Sequence, residues 1–373
     1  MKKIPVLLSS LLLINACLMA QGDSVLKKPF RIGIVGLVHT HVHWILGRPK
    51  TDEVQIVGIA EPNRKLAEAY AKQHKFSMEM VYSTMEEMIA KTKPEAVLAF
   101  NNIYDHLKTV AYCAPRGIHV MVEKPLAVSM QHARQMLALA KQYNIYLLTN
   151  YETSWYGSNK KAYELVNDQQ KIGEVRKIVF HTGHQGPVEI GCNPEFLEWL
   201  TDPVLNGGGA LTDFGCYGAN LSTWLMKGEQ PLTVTAITQQ IKPELYPKVE
   251  DEATILLTYK KAQVIIQASW NWPYSRKDME VYGKDGYVFC IDGKAMVIKQ
   301  KDEQQKRSFE APPLVAGSND PFIYFANVVR GNIKMDKYDV SAPANNEVVM
   351  KILEGAKQSA KTGKRILWKD IGK

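Results

Sequence analysis

Between residues 31 and 149, short apolar runs rich in β-branched residues alternate with longer stretches of helical periodicity. Strands that alternate with helices become parallel neighbours, because the chain must cross back over the sheet each time. The pattern predicts an α/β fold whose N-terminal domain, residues 28–150, is a doubly wound Rossmann-type parallel sheet. Ser83-Thr84 and Ser129 are predicted helix N-caps, with Glu87 three residues after Thr84. The predicted strands are RIGIVG (31–36), VQIVGIA (54–60), EAVLAF (95–100), IHVMV (118–122) and IYLLT (145–149).

After residue 150 the pattern changes, and long strand-like runs follow one another with turn signals such as Asp292-Gly293 between them. Consecutive strands joined by tight turns form antiparallel sheets. Two helical segments, at about residues 319–331 and 344–361, close the chain. The sequence therefore predicts a C-terminal α+β domain, residues 151–373, with a large, mostly antiparallel open sheet.

Residues 1–20 have the composition of a secretory signal peptide. Lys2 and Lys3 precede an apolar stretch that is too short to span a membrane, so no transmembrane span is predicted. Cleavage after Ala20 predicts an exported, periplasmic protein, whereas lipidation of Cys17 predicts an anchored one, and both remain open. The net charge of +8 is spread along the chain without a basic stripe, which argues against nucleic-acid binding.

The segment GIVGLVHTHVHW, residues 33–44, follows the first predicted strand, where a dinucleotide-binding loop would lie. Such loops carry three glycines, but here only Gly36 remains, and Val38 and His41 occupy the other two positions. Glu61 ends the second predicted strand, where an acid accepts hydrogen bonds from a ribose and disfavours a 2′-phosphate. Glu61 favours NAD, while Arg64 keeps NADP open. A domain that has lost its nucleotide is the alternative.

Three histidines alternate through the same segment. On a helix, His39 and His43 would lie four residues apart on one face, as pairs of metal ligands do. No further group of Cys, His, Asp or Glu follows at ligand spacing, so no metal site is predicted. His39 and His41 are instead expected to be structural or to lie near a cofactor phosphate at a helix N-terminus.

Two motifs further along the chain resemble those of a known family. HVMVEKPLA, residues 119–127, and GGGALTDFGCYGANLSTWL, residues 207–225, resemble two segments of the glucose–fructose oxidoreductase/inositol dehydrogenase (Gfo/Idh/MocA) family. The resemblance covers essentially all of the chain after residue 30. It implies an NAD(P)-dependent oxidoreductase that acts on CH–OH groups of a sugar or glycoside. It also implies a homo-oligomer, either a dimer or a tetramer.

The resemblance implies roles for residues in these motifs. Lys124 would lie beside the nicotinamide and the reacting hydroxyl, where its ammonium stabilises a developing alkoxide. Many members have histidine where this chain has Tyr217, so Tyr217 would be the acid/base, with its pKa lowered by Lys124. Asp213 would share a helix face with Tyr217 and would hold a sugar hydroxyl. Glu123 would contact the cofactor.

The remaining candidates lie at the ends of predicted strands or at the start of the second domain. Asn101 ends the third run, at the edge where a doubly wound sheet presents groups to its ligand, and is assigned to the cofactor. Tyr151 and Trp155 would offer stacking faces to a sugar, and His184 ends a strand that would line the cleft. Asn220, where the family often has aspartate, completes the predicted substrate contacts.

Export limits the reaction, because no NAD pool is maintained outside the cytoplasm. Tightly bound NAD(H) that recovers its hydride in each turnover is therefore expected. The first hypothesis is oxidation of a pyranose hydroxyl, with C3 as the favoured position. The second is a redox-neutral glycosidase or lyase, because a ketone at C3 acidifies the C2 proton and permits elimination before re-reduction. The third is a non-catalytic sugar-binding protein on a degenerate Rossmann fold.

Overall fold

The computed structural model describes residues 28–49 and 52–372. Its N-terminal sheet has six parallel strands in the order β3-β2-β1-β4-β5-β6. The strand order reverses between β1 and β4, so the prediction of a doubly wound parallel sheet is confirmed. The two-residue β3 was not predicted, because so short a strand has no periodicity. The strands are β1 (Phe30–Val35), β2 (Val54–Ala60), β3 (Val81–Tyr82), β4 (Ala96–Ala99), β5 (His119–Glu123) and β6 (Leu147–Asn150).

In the described residues up to Asn150, five α-helices connect these strands. The predicted caps are confirmed: Thr84 accepts a hydrogen bond from the Glu87 N–H, and Ser129 accepts one from the His132 N–H. Each cap satisfies one of the donors that a helix start leaves free. The helices are α1 (Val42–Leu46), α2 (Arg64–His74), α3 (Met85–Thr92), α4 (His106–Cys113) and α5 (Met130–Gln142).

The C-terminal sheet has nine strands in the order β14-β13-β12-β11-β7-β10-β9-β8-β15. β7 and β10 pair in parallel and all other neighbouring strands of this sheet pair antiparallel, which confirms the mostly antiparallel prediction. The strands are β7 (Val175–Gly183), β8 (Thr233–Gln239), β9 (Glu252–Thr258), β10 (Gln263–Ser269), β11 (Arg276–Gly283), β12 (Gly286–Cys290), β13 (Ala295–Gln300), β14 (Arg307–Glu310) and β15 (Ile366–Leu367).

The helices of the second half position the site and close the core. α9 and α11 pack together over the C-terminal sheet. α10 returns to the N-terminal sheet, where the Phe325 ring meets Phe30 edge-on at a centroid distance of 5.8 Å. The helices are α6 (Gly157–Tyr163), α7 (Pro194–Leu200), α8 (Ala210–Asp213), α9 (Gly215–Leu225), α10 (Pro321–Val329) and α11 (Pro343–Thr362).

The predicted signal peptide, with Ala20 and Cys17, lies outside the described residues. Within the part of the chain that the structure describes, no helix combines the length and the apolar character needed to cross a bilayer.

Candidate active site

The loop after β1 needs a glycine at its first position. Gly36 has a φ of +79°, and a Cβ there would lie 2.6 Å from the Asn101 backbone. Only glycine combines a positive φ with so close an approach. Gly36 therefore makes the tight turn at the switch point of the sheet, beside the carboxyl end of β4.

The histidines after Gly36 are not arranged as a helical pair. α1 begins at Val42, so His39 lies in the loop before the helix and does not share a helix face with His43. His43 Nδ1 lies 2.8 Å from His74 Nε2 instead. His39 and His43 therefore do not form the helical pair that their spacing would allow, because the loop continues past the position where the helix was expected to start.

His39 and His41 meet Glu123, which β5 brings to the same place. His41 Nδ1 lies 2.8 Å from Glu123 Oε2, and His39 Nε2 lies 3.9 Å from the same oxygen. The sequence search for a metal cluster missed this group, because 82 residues separate Glu123 from His41. The three side chains have the composition of a metal site, with one ligand atom from each within 4.8 Å of the others.

The protonation of His39 argues against a cation in this cluster. Burial lowers the pKa of His39 well below its usual value, so the ring is neutral. Its Nδ1 accepts the His41 backbone N–H at 3.2 Å, which leaves the ring proton on Nε2. Nε2 is therefore a donor rather than a metal ligand, and beside the Glu123 carboxylate it suits a neutral acceptor, such as a ribose hydroxyl, better than a phosphate.

Glu123 is held as a carboxylate in spite of its burial. Burial raises the pKa of Glu123, but His41, together with the hydrogen bond from Asn150, outweighs this effect, and the pKa falls to about 2. Its second oxygen accepts a hydrogen bond from Asn150 Nδ2 at 2.8 Å, and Asn150 Oδ1 accepts one from Trp155 Nε1 at 2.9 Å. The carboxylate therefore links the histidine loop to the end of β6.

Glu61 fixes the same loop from the end of β2. Its carboxylate accepts the Leu37 N–H at 2.8 Å and the Asn63 N–H at 2.7 Å, and burial raises its pKa. Both oxygens thus already hold backbone donors at the position predicted for a ribose acceptor. Arg64 is exposed and pairs with Glu68 at 3.2 Å.

Two buried polar atoms at this crevice have no hydrogen-bond partner among residues 28–49 and 52–372: His39 Nε2 and Asn101 Oδ1. They lie at the carboxyl ends of β1 and β4, where a doubly wound sheet binds its ligand. Buried donors and acceptors without hydrogen-bond partners are uncommon, and a bound ligand would supply the missing partners. The crevice therefore fits a dinucleotide, despite the loss of two loop glycines.

Lys124 follows directly after Glu123 and forms the centre of the second group. Its ammonium donates to the Asp213 carbonyl oxygen at 3.0 Å and to the Asp213 carboxylate. Trp270 Nε1 donates to the other carboxylate oxygen at 3.0 Å. Burial opposes both charges, but their attraction raises the pKa of Lys124 and lowers the pKa of Asp213. The pair is therefore ionised.

Tyr217 lies beside Lys124, but the predicted direction of its pKa shift is wrong. α8 ends at Asp213 and α9 begins at Gly215, so the two predicted site residues lie on separate helices, and both still reach Lys124. Lys124 Nζ is 5.0 Å from the Tyr217 ring centroid. Burial nevertheless raises the pKa of Tyr217 well above its usual value, and the carboxylate of Glu152 adds to the effect. The phenol stays protonated.

A cleft of about 580 Å³ opens next to this group, and none of its charged residues was predicted. Lys277, on β11, forms an ion pair with Glu152 and lies 5.3 Å from the Tyr217 ring centroid. His184 lines the same cleft, and its Nδ1 accepts the Gly186 N–H at 2.9 Å. Burial lowers the pKa of His184 to about 4, so the ring is neutral.

Two predicted substrate contacts belong to the core instead. The Tyr151 side chain is fully buried, and its hydroxyl donates to Asn346 Oδ1 at 2.9 Å. Asn220 is also fully buried and donates to the Val340 carbonyl oxygen at 2.7 Å. Both side chains form hydrogen bonds within the core, so the structure does not support either as a substrate contact. Trp155 lines a different cavity from His184.

The sequence also missed an aromatic wall on the histidine loop. The Trp199 ring stacks on His39 at a centroid distance of 5.5 Å, and Trp199 Nε1 donates to the Val38 carbonyl oxygen at 3.5 Å. The Phe196 ring meets His39 edge-on. α7 of the second half thus covers the altered glycine loop of the first, which no local pattern could indicate.

Two family models match the chain. The model described as "Oxidoreductase family, NAD-binding Rossmann fold" matches residues 30–151, and "GFO/IDH/MocA C-terminal domain" matches residues 160–289. Together they cover more than half of the chain. The chain is 29% identical over 218 residues to a trans-1,2-dihydrobenzene-1,2-diol dehydrogenase of Xenopus tropicalis, a match covering 58% of this chain and 61% of that protein.

The corresponding dehydrogenase of Mus musculus is 23% identical over 343 residues, which cover 88% of this chain and 96% of the mouse protein. Among solved structures, an aldose-aldose oxidoreductase from Caulobacter crescentus complexed with glycerol matches with a TM-score of 0.76 at 20% identity, over 91% of this chain and 99% of that one. An inositol dehydrogenase homolog from Azotobacter vinelandii, complexed with NAD+, matches with a TM-score of 0.78 at 18% identity, over 91% and 97%. These two likenesses show the fold.

Proposed function

Because the chain belongs to the GFO/IDH/MocA family of oxidoreductases, we propose that it transfers hydride between NAD(H) and a hydroxyl-bearing carbon of a sugar or glycoside. The observation that carries this proposal is the buried Lys124–Asp213 ion pair, which lies between the cofactor crevice and the cleft. A charged ammonium fixed at that point stabilises an oxygen that gains negative charge.

The crevice residues would make different contacts with the cofactor. His39 Nε2 donates a hydrogen bond, Glu123 and Asn101 accept, and the close turn at Gly36 lets the backbone approach. Glu61 accepts backbone hydrogen bonds from the loop and places a carboxyl group, rather than a cation, where a 2′-phosphate would bind. NAD is therefore the proposed form of the cofactor. The exposed Arg64 is the residue through which NADP would bind instead.

The bound cofactor would supply or accept the hydride, and the chain's own residues would handle the proton. Lys124, kept protonated by Asp213, donates a proton to the carbonyl oxygen during reduction and receives it back during oxidation. Tyr217 remains a phenol and donates a hydrogen bond to the same oxygen. Asp213 accepts from Lys124 and Trp270, which fixes the position of the ammonium.

The cleft favours a neutral substrate. Lys277 is paired with Glu152, and Arg276 is paired with Asp278 at 2.7 Å, so an acidic sugar would find no free cation on that wall. His184, as a neutral ring with its proton on Nε2, donates a hydrogen bond to a sugar hydroxyl. The names of the relatives, which act on a dihydrodiol, an aldose or an inositol, support a cyclic polyol or pyranose, and C3 is the proposed position.

Cleavage of a glycoside is the second candidate reaction. Lys124, beside the carbonyl oxygen of a transient ketone, would stabilise the enolate that forms when the C2 proton leaves. Re-reduction would then return the hydride, so no second redox partner is needed. The same residues serve both reactions, and the products distinguish them. A non-catalytic role is less consistent with a buried, ionised Lys124–Asp213 pair, which a sugar-binding cleft does not require.

Export to the periplasm and assembly into a homodimer or homotetramer complete the proposal, with a lipid anchor at Cys17 as the alternative to release. Cell fractionation of the full chain and light scattering of the purified protein test these two points. Export through a general route, without a maintained NAD pool outside, is the reason that we propose tight binding of NAD(H).

The first experiment is mass spectrometry of the nucleotide released when freshly purified protein is denatured, with parallel titrations of NAD and NADP. Stoichiometric NAD(H), followed by turnover of a neutral glycoside, is the expected result. A free aglycone among the products would favour cleavage over net oxidation. Absence of bound nucleotide together with no uptake of either form would refute the oxidoreductase proposal.

A further inference from the structure

A separate cavity of about 290 Å³ lies between the start of α6, α9 and α10. It shares no lining residue with the cleft around His184 and Glu152. Of the residues predicted for the substrate, Trp155 lines this cavity. Its volume is at the lower end of the range for small-molecule sites, which suits a ligand of monosaccharide size.

Three residues that line the cavity carry buried hydroxyl groups without a hydrogen-bond partner in the described part of the chain. They are Thr153, Ser154 and Ser341. Thr153 and Ser341 are almost completely buried. A buried hydroxyl without a partner is costly, so three of them around one cavity indicate polar atoms that normally occupy it. Each hydroxyl both donates and accepts, as the hydroxyls of a polyol do.

Aromatic and apolar side chains form the rest of the wall. The rings of Trp155, Trp224 and Tyr324 line the cavity together with Leu221 and Pro312. Apolar walls with a few placed polar groups are the usual composition of a small-molecule site. Such walls pack on the C–H faces of a sugar ring, while the hydroxyls bind its rim.

The charges at the cavity are balanced within the protein. Lys161 pairs with Glu164 at 2.8 Å. Asp339 accepts the Ser341 N–H at 3.0 Å, and burial raises the pKa of Asp339. The remaining cation, Lys160, lies over the Trp224 ring. A neutral ligand is therefore favoured over an acidic one.

Hydrogen bonds connect this cavity to the cofactor crevice. Trp155 Nε1 donates to Asn150 Oδ1 at 2.9 Å, and Asn150 Nδ2 donates to Glu123 Oε1 at 2.8 Å. Glu123 in turn contacts His41 at 2.8 Å. A ligand that moves the Trp155 ring therefore acts on the carboxylate that organises the histidine loop.

We propose that this cavity is a second ligand site, separate from the cleft, for a neutral polyhydroxylated molecule of pyranose size, and that its occupancy changes the affinity of the cofactor crevice. The binding site stands on the geometry of the cavity alone, whereas the change in cofactor affinity rests on the proposed function. The linkage is reciprocal, so bound cofactor changes the affinity of the cavity by the same factor.

Isothermal titration of the purified protein with glucose, and a crystal structure at saturating glucose, test the site. Glucose is expected in both the cleft and the cavity. Thr153→Val and Ser341→Ala each remove one hydroxyl at nearly constant shape. Each should weaken the binding of glucose in the cavity about tenfold, the effect of one or two lost hydrogen bonds. Lys277→Met is the matched control and should weaken only the binding of glucose in the cleft.

Both hydroxyl variants should melt at or above the wild-type temperature, because the group removed has no protein partner, and Ser154→Ala replaces either variant if it does not fold. Glucuronate should bind the cavity more weakly than glucose. A cavity that holds only water at saturating glucose, unchanged titrations of both variants, or tighter binding of glucuronate would overturn the site as proposed.

The effect on the cofactor is measured as the Kd for NAD with and without glucose, in wild type and in Trp155→Phe, which removes the indole N–H. We expect a shift of several-fold in wild type and none in the variant. Equal shifts, or none in either protein, would overturn the linkage. If NAD does not bind even without glucose, the proposed function is refuted. The glucose titrations would still test the cavity as a binding site.

Discussion

The Lys124 ammonium donates two hydrogen bonds to Asp213, one to its backbone carbonyl oxygen at 3.0 Å and one to its carboxylate. The two residues are 89 positions apart, and the fold brings the end of α8 against the end of β5. Because Trp270 holds the other carboxylate oxygen, the acid has little freedom to leave the ammonium. The pair therefore fixes a positive charge at the boundary between crevice and cleft.

Lys124→Met tests the catalytic role of that charge. We expect kcat to fall at least about 100-fold, because the developing negative charge loses its partner. The free energy of unfolding should also fall, by about 3–5 kcal/mol, because the Asp213 carboxylate stays buried alone. Steady-state kinetics and urea unfolding measure the two effects. Lys301→Met, which breaks an exposed pair with Asp285, is the control and should change neither.

The pH profile distinguishes Lys124 from Tyr217 as the proton carrier. The pKa of Lys124 is raised by Asp213, so its charged form persists up to alkaline pH. Oxidation, which needs an unprotonated acceptor, should therefore speed up as the pH rises through the alkaline range, while reduction should slow. Tyr217→Phe should lower kcat about tenfold through the lost hydrogen bond without moving the inflection. Loss of the inflection in this variant would show that Tyr217 titrates.

His39→Phe tests the histidine loop as the cofactor site. The phenyl ring keeps the stacking on Trp199 but lacks the Nε2 donor and the Nδ1 atom that accepts the His41 N–H, so the Kd for NAD should rise about tenfold. His74→Phe, which removes a ring bonded to His43, is the matched control. An unchanged Kd, or stoichiometric Zn²⁺ binding that His39→Phe abolishes, would contradict the assignment.

Gly36→Ala and Gly117→Ala separate backbone strain from close packing. Both glycines have positive φ, but nothing lies within 4 Å of a Cβ at Gly117, whereas a Cβ at Gly36 meets Asn101 at 2.6 Å. Gly117→Ala should lower the free energy of unfolding by about 1–2 kcal/mol through strain alone. Gly36→Ala should cost about 1–3 kcal/mol more through overpacking. Equal losses in urea unfolding would refute the close contact.

The fold could be predicted because its signals are local. The alternation of buried strands and amphipathic helices, the caps at Thr84 and Ser129, and the change to strand-rich sequence after residue 150 each depend on neighbours in the chain. The edge strand β14 was missed because its residues are mostly exposed, so its sequence lacks the alternation that marks a half-buried strand.

Most of the wrong predictions about the site residues concern side chains that are buried in the structure. Tyr151 and Asn220 follow the pattern of ligand contacts, but Tyr151 donates its hydroxyl to Asn346 and Asn220 donates to the Val340 carbonyl oxygen, both within the core. The pKa of Tyr217 was expected to fall because Lys124 is near, and it rises because the phenol is excluded from water and faces Glu152. Neither degree of burial can be derived from spacing, since distant segments supply the covering atoms.

The sequence by itself determined the two-part architecture, the turn at Gly36 and the choice of Lys124 and Asp213 as site candidates. It predicted that Asp213 would hold a sugar hydroxyl, whereas in the structure the Asp213 carboxylate is held by Lys124 and Trp270. Only the tertiary structure decided that Glu123 joins His39 and His41 at the loop and that Lys277 meets Glu152 in the cleft. The physical reason is that strand and helix patterns act over a few residues. Ion pairs and desolvation depend on atoms that folding brings together from positions about 80 to 125 residues apart.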